Sequence, residues 1–358
     1  ATPDQFLTIA KLRAARRLWQ RAASVAGVGA DGQRQRQHAV SSTAAAARYD
    51  TWVNLLRATV ECFGAGVGGA DAVTVLPHDD LVVAGGSDIG RRMARNTQLV
   101  LMEESNAARV IDMAGGSWYV EDLTDQLARA GWAWFQEIER AGGVVQAISA
   151  GLVQDRISEV TAARDTAVAR RRHPLTGVSE FPNIAETPPP ALAPVPAPAD
   201  ATFAPLVPRR HADPIEAQRA RADRIEAATG QRPEVFLVTL GLPAVHTTRA
   251  TFARNLFEVG GIRAVVGSGY DSVDTAVQAF TASGARLACI CSDDATYAEL
   301  AVDVASALAA LAPARLYLAG RPKGLEDGLR SAGVDELLVA GGDVLSTLTR
   351  ALDLLETA

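Results

Sequence analysis

Val235-Phe-Leu-Val-Thr-Leu240-Gly-Leu-Pro-Ala-Val-His246-Thr-Thr-Arg249 decides the fold of the second half of this chain. Its first six residues are apolar except for Thr239, too short for a helix and closed by a glycine. Such a run reads as a strand buried on both faces, the condition of a parallel sheet covered by helices. A helical pattern is expected next, over 247–259. The same strand-then-helix unit recurs with strands at 263–266, 286–291, 315–318 and 336–339. Helices are expected after them at 273–283, 295–311, 325–331 and 344–356. Repeated units of this kind describe a doubly wound parallel sheet, because parallel neighbours must be joined by a right-handed crossover. Ligands of such sheets sit beyond the carboxyl ends of the strands. The loops starting at Gly241, Gly267, Ser292, Ala319 and Ala340 are therefore the ones to examine.

Upstream, prolines crowd between residues 187 and 214: Pro188, Pro189 and Pro190, then Pro194, Pro196, Pro198, Pro205 and Pro208. Each removes a backbone donor, so an extended linker over 183–214 is expected between domains at 1–182 and 215–358. The first domain alternates helix and strand. Helices are expected at 6–19, 51–62, 89–104 and 122–142, with Trp132, Phe135 and Ile138 on one face of the last. Strands are expected at 37–42, 72–76 and 108–111. Three strands cannot close a barrel. If the parent architecture has eight, these are its later ones, and their edges need a cover.

Composition bounds the class. Apolar residues make up 48% of the 358, enough for two cores, and the net charge is -6. A negative chain is a poor ligand for phosphate backbones, which excludes a general nucleic-acid role. Arg170, Arg171 and Arg172 form a basic run whose plain reading is a solvated helix end. Three scattered cysteines, Cys62, Cys289 and Cys291, do not make a disulfide framework and suit a reducing compartment. Neither a membrane-spanning stretch nor a signal pattern is present, so a soluble cytoplasmic protein with no membrane partner is expected.

Several stretches carry a resemblance: Ala94-Arg-Asn-Thr-Gln-Leu-Val-Leu-Met-Glu-Glu-Ser105, Ala114-Gly-Gly-Ser-Trp-Tyr-Val-Glu121, Phe135-Gln-Glu-Ile-Glu139 with Gly142-Gly143, and Pro174-Leu-Thr-Gly-Val-Ser-Glu-Phe-Pro182. Together with residues 6–19 they resemble the methylmalonyl-CoA mutase family, in that family's order, over nearly all of the first domain. The resemblance implies an α/β chain: a partial (β/α)8 TIM barrel, later strands only, followed by a flavodoxin-like five-stranded sheet of the cobalamin-binding type. It also implies an isomerase of propionate metabolism that interconverts methylmalonyl-CoA and succinyl-CoA using adenosylcobalamin, although isobutyryl-CoA mutases share the fold.

The family's cobalamin motif is D-x-H-x-x-G, in which the His ligates cobalt, the Asp orients it and the Gly permits a tight turn. Here His246 matches the His, but Ala244 stands at the Asp and Arg249 at the Gly. Ser292 and Asp293 replace a small-then-apolar pair along the nucleotide-tail cavity, and Asp293 is expected to bring a charge into an enclosed space. Gly320 and Gly341-Gly342 only partly match later glycine-rich loops. In the first domain His38 aligns with a substrate-facing His of the barrel, but its neighbours Ala39 to Ala47 lack the family's Gln, Gly and Trp. Leu76 replaces a cofactor-facing Asn, and Asp80 shortens a Glu. These departures imply the small, non-catalytic subunit, with His38 and His246 as vestiges and neither cofactor nor metal held by this chain. Adenosylcobalamin then belongs to a homologous catalytic large subunit, the expected heterodimer partner, with a GTPase maturation chaperone as a further partner. The competing reading is an active acyl-CoA mutase in which His246 still ligates cobalt.

Overall fold

The computed structural model describes residues 1–190 and 205–356, the side chain of residue 108 excepted. Pro194, Pro196 and Pro198 of the expected linker lie outside them. The chain divides into two compact units, Ala1–Ala162 with Pro189–His211, and Ala163–Pro188 with Ala212–Ala358. It is an α/β protein whose sheets are parallel.

In the first unit, β1 (His38–Val40) and β2 (Ala72–Thr74) pair in parallel, His38 opposite Ala72. The helix Thr51–Val67 joins them and buries Asn54, Ala58, Glu61, Cys62, Gly64 and Ala65. Helices Gln5–Val25 and Trp118–Arg140 pack on each other, and Arg13 of the first bonds Asp112 and Glu121. The helix Asp88–Leu99 is capped by the Ser87 side chain and continues as a π-turn over Val100–Glu104.

The strand expected at 108–111 does not form. Ala107–Arg109 is a turn of 3₁₀ helix, and Ile111 is fully exposed at 107% relative accessibility. A short apolar run becomes a strand only where a neighbour takes its backbone hydrogen bonds, and none of the described residues does so for this one. The helix Leu152–Ala169 is the one whose end the basic run at Arg170 marks, and Val144–Ser149 and Asp213–Thr229 form where no helix range was expected.

The second unit holds β3 (Glu234–Thr239), β4 (Arg263–Val266), β5 (Leu287–Cys291), β6 (Arg315–Ala319) and β7 (Glu336–Leu338), hydrogen-bonded in the order β4-β3-β5-β6-β7. β5 is buried along its whole length. One face of the sheet, with Phe236, Val238, Ala288, Ile290, Leu316 and Leu318, packs with Ala276, Phe280, Val304 and Leu308 of the helices Val273–Ser283 and Val302–Ala309. The helix Pro243–Val259 packs on β3, β4, β5 and β6, and its Phe257 ring meets Tyr317 edge-on at 5.2 Å. Crossovers run outward in both directions from β3, so the chain reverses between β3 and β5. Their carboxyl ends, Leu240-Gly241 and Ser292, border the crevice where such sheets bind ligands.

Candidate functional site

His246 sits in the helix Pro243–Val259, not in a loop. Leu242 is the N-cap and Pro243 the first helical residue, a position where its fixed φ and missing N–H cost nothing. The imidazole is 6% exposed, and neither Nδ1 nor Nε2 has a hydrogen-bond partner. Burial holds its pKa below the ordinary imidazole value, so the ring is neutral at pH 7. Over it lies the backbone at Gly269: a Cβ there would fall 2.6 Å from the Gly241 carbonyl oxygen and 3.5 Å from His246 Nε2. Ala244 is exposed and offers no carboxylate to orient the ring.

One turn on, Arg249 crosses the ends of β5 and β6. Nη1 donates to the Ser292 carbonyl at 2.8 Å, Nη2 pairs with Asp294, and the guanidinium lies 4.8 Å from the centre of the Tyr297 ring. Gly320 follows β6 at φ +109°, and a Cβ on it would come within 2.8 Å of Arg249 Nε. Beneath the guanidinium, Tyr297 is wholly buried. Its hydroxyl accepts from Ser292 N–H at 2.9 Å and shares its one hydrogen between the carbonyls of Ala319 at 2.8 Å and Ile290 at 3.1 Å. Tyr297 opens a π-turn, Tyr297–Ala301, the kind of helix bulge that re-aims a side chain. Ser292 is fully buried, and its Oγ donates to the Leu240 carbonyl at 2.8 Å across the switch point.

Asp293 corrects an expectation. Its carboxylate accepts from Thr296 N–H at 2.9 Å and caps the following helix. That bond holds its pKa below the usual carboxylate range, so its charge is met by a helix N-terminus and not enclosed in a cavity. Arg171 corrects another. In a left-handed conformation at φ +54°, its side chain is only 15% exposed and forms a two-pronged pair with Glu180, so it is a structural tie within the basic run.

A cofactor that takes an imidazole as lower axial ligand needs that ring turned outward and held by an acceptor, with room beside it for a tail. Here the ring is covered and unheld, and Arg249 and Tyr297 occupy the strand ends. The residues present do not fit that group.

In the first unit His38 is exposed on β1, its Nε2 2.8 Å from Thr74 Oγ1 on β2. His38 and His246 belong to separate units. Beyond the carboxyl ends of β1 and β2, Leu76 and Asp80 line a small cavity with Ser41, Ser42, Asn54, Arg57, His78 and Glu61, about 30 Å³ in volume, enough for one water. Reading the sequence missed Glu61. It is 2% exposed, one oxygen accepts from Ser42 N–H at 3.1 Å, and the other has no partner. Burial pushes its pKa up to about 7.

Comparisons with known proteins agree with the resemblance. The family model described as Methylmalonyl-CoA mutase matches residues 1–230. The chain is 53% identical over 354 residues to a methylmalonyl-CoA mutase small subunit of Streptomyces virginiae, covering 99% of this chain and 55% of that protein. It is 38% identical to the small subunit of Propionibacterium freudenreichii subsp. shermanii, covering 100% of this chain and 55% of that protein. With a methylmalonyl-CoA mutase of Escherichia coli it shares 35% identity over 181 residues, half of this chain and a quarter of that protein. The chain thus spans about half the length of the small subunits it matches. This chain belongs to the methylmalonyl-CoA mutase family.

Proposed function

We propose that this chain is part of a small, non-catalytic subunit of an adenosylcobalamin-dependent methylmalonyl-CoA mutase, in which it stabilises a homologous catalytic large subunit as a heterodimer. The observation that carries the reading is the closed crevice: Arg249 stacked on Tyr297 and bonded to Ser292, beside a His246 covered at Gly269. Adenosylcobalamin, whose cobalt–carbon bond supplies the radical in this chemistry, then resides on the large subunit. Within the proposal β1 and β2 are later strands of a (β/α)8 barrel, β3 to β7 form a flavodoxin-like sheet with a degenerate cobalamin motif, and residues 183–214 link the two. The setting is cytoplasmic propionate metabolism. Among the described residues no helix is long and apolar enough to cross a membrane, which accords with it. A GTPase maturation chaperone is a further partner.

The test is co-expression with the catalytic large subunit. A stoichiometric heterodimer is expected, and this chain purified alone should not change the visible spectrum of adenosylcobalamin. A tight one-to-one corrinoid complex would sink the reading. A second reading has one observation in its favour: both nitrogens of His246 are free and its ring is neutral, the state a metal ligand requires. In that case the spectrum would be that of cobalamin carrying a protein imidazole in place of its own base.

A further inference from the structure

In the first unit an open cleft of about 550 Å³ lies between the helices Gln5–Val25 and Trp118–Arg140, with the short turn Ala30–Gln33 closing one side. Four guanidinium groups line it, Arg13, Arg16, Arg17 and Arg34, against the carboxylates of Asp112 and Glu121. Three of the four are ion-paired. Arg13 donates to both oxygens of Asp112 and to Glu121 at 2.6 Å, Arg17 pairs with Asp125 at 3.2 Å, and Arg34 with Asp71 at 3.3 Å.

Arg16 is different. Its Nη1 donates to two neutral acceptors, Gln37 Oε1 at 2.6 Å and the Gly69 carbonyl at 3.2 Å. No carboxylate among the described residues pairs with it, and its Nε and Nη2 have no bonded acceptor there. Burial and, after it, the neighbouring Arg13 push its pKa down, and the more distant Asp112 and Asp71 offset this only in part. Thr124 gives an independent observation. It lines the same cleft, is 1% exposed, and its Oγ1 has no hydrogen-bond partner, not even a carbonyl of its own helix. Buried hydroxyls are nearly always bonded, so an orphan on a residue that lines a cleft marks a place where a partner is due.

We propose that this cleft binds the phosphate group of a phosphate-bearing small molecule through the Arg16 guanidinium and the Thr124 hydroxyl. Arg13 is shared between Asp112 and Glu121, which leaves Arg16 as the one guanidinium of the four with no carboxylate of its own. A tetrahedral oxyanion offers acceptors in several directions at once, which suits a planar guanidinium on one side and a hydroxyl on another. The volume falls in the range of small-molecule sites and exceeds what a bare ion needs, so an organic phosphate ester or diphosphate is the ligand class.

Calorimetric titration tests this on the native protein in the assembly in which it is isolated, with pyrophosphate as the probe and the dicarboxylate glutarate as the second arm. Pyrophosphate is expected to bind, more weakly as salt rises. Arg16→Gln is expected to lower its affinity by tenfold or more, roughly the loss of a charge-assisted bond, and Thr124→Val by about tenfold. Thr124→Val keeps the shape of the side chain and all four arginines, so it stays informative if Arg16→Gln fails to fold. The proposal is overturned by an absence of pyrophosphate binding, by binding unchanged in Thr124→Val, or by glutarate binding as tightly as pyrophosphate.

Discussion

Replacing Glu61 with Gln should stabilise the first unit above neutral pH and do little in acid. In the fold its carboxyl is buried, keeps one bond from Ser42 N–H, and has its pKa raised from 4.5 to about 7. The folded state therefore holds a proton that the unfolded chain gives up at a lower pH. Stability from this group is complete below the unfolded value, declines as pH rises from about 4.5 towards 7, and is lost above the folded value. A shift of about 2.5 units at 1.36 kcal/mol each makes the difference about 3 kcal/mol. A Gln amide can still accept from Ser42 N–H and has no proton to lose. The measurement is urea unfolding followed by tryptophan fluorescence across a pH series. All five tryptophans, Trp19, Trp52, Trp118, Trp132 and Trp134, lie in the first unit, so the signal reports that unit alone, and Trp52 stacks on His78 at 4.4 Å beside the Glu61 cavity. The wild type should lose about 3 kcal/mol between acid and about pH 8.5, and Glu61→Gln should lose much less. If the variant is instead the less stable protein at about pH 8.5, the carboxylate is ionised and needed by Arg57, and the reasoning fails.

Two further outcomes concern the second unit. Gly320→Ala should cost more than about 1 kcal/mol, since its φ is +109° and the new methyl meets Arg249 Nε, and most of the contact penalty should vanish when Arg249→Ala is made as well. Chemical denaturation of the four proteins of that cycle by far-UV circular dichroism gives the coupling, and strict additivity would mean that Arg249 does not occupy the space beside Gly320. Phe257→Ala removes the ring packed on Tyr317 and should cost about 3–5 kcal/mol in the same assay, and a loss under about 1 kcal/mol would show that the helix Pro243–Val259 is not seated on the sheet as described.

The strands of the second unit were legible because burial on both faces leaves a nearly unbroken apolar run in the sequence, and β3 and β5 are of that kind. The run at 108–111 is apolar apart from Arg109, but a strand also needs a neighbour, and that requirement is not local. The start of the His246 helix was readable and was missed: Pro243 after Gly241-Leu242 is a first-turn signal, and treating the stretch as a loop put His246 in the wrong element. Glu61 was harder, because one acid in a helical pattern looks solvated until the chain at Ser42 folds over it. The departure at Arg249 could be seen as a large cation where the family has glycine, but its consequence depends on residues far away in sequence. Tyr297 supplies a ring face, Ser292 a carbonyl, Asp294 a countercharge and Gly320 the room. Each of the four by itself is unremarkable, and together they bind Arg249 into the end of the sheet. That interdependence bears on the proposed function: placing a carboxylate at position 244 alone would leave Arg249 bonded across the crevice. Under that proposal an open crevice would require changes at both 244 and 249, because Arg249 is held by several contacts at once and not by one.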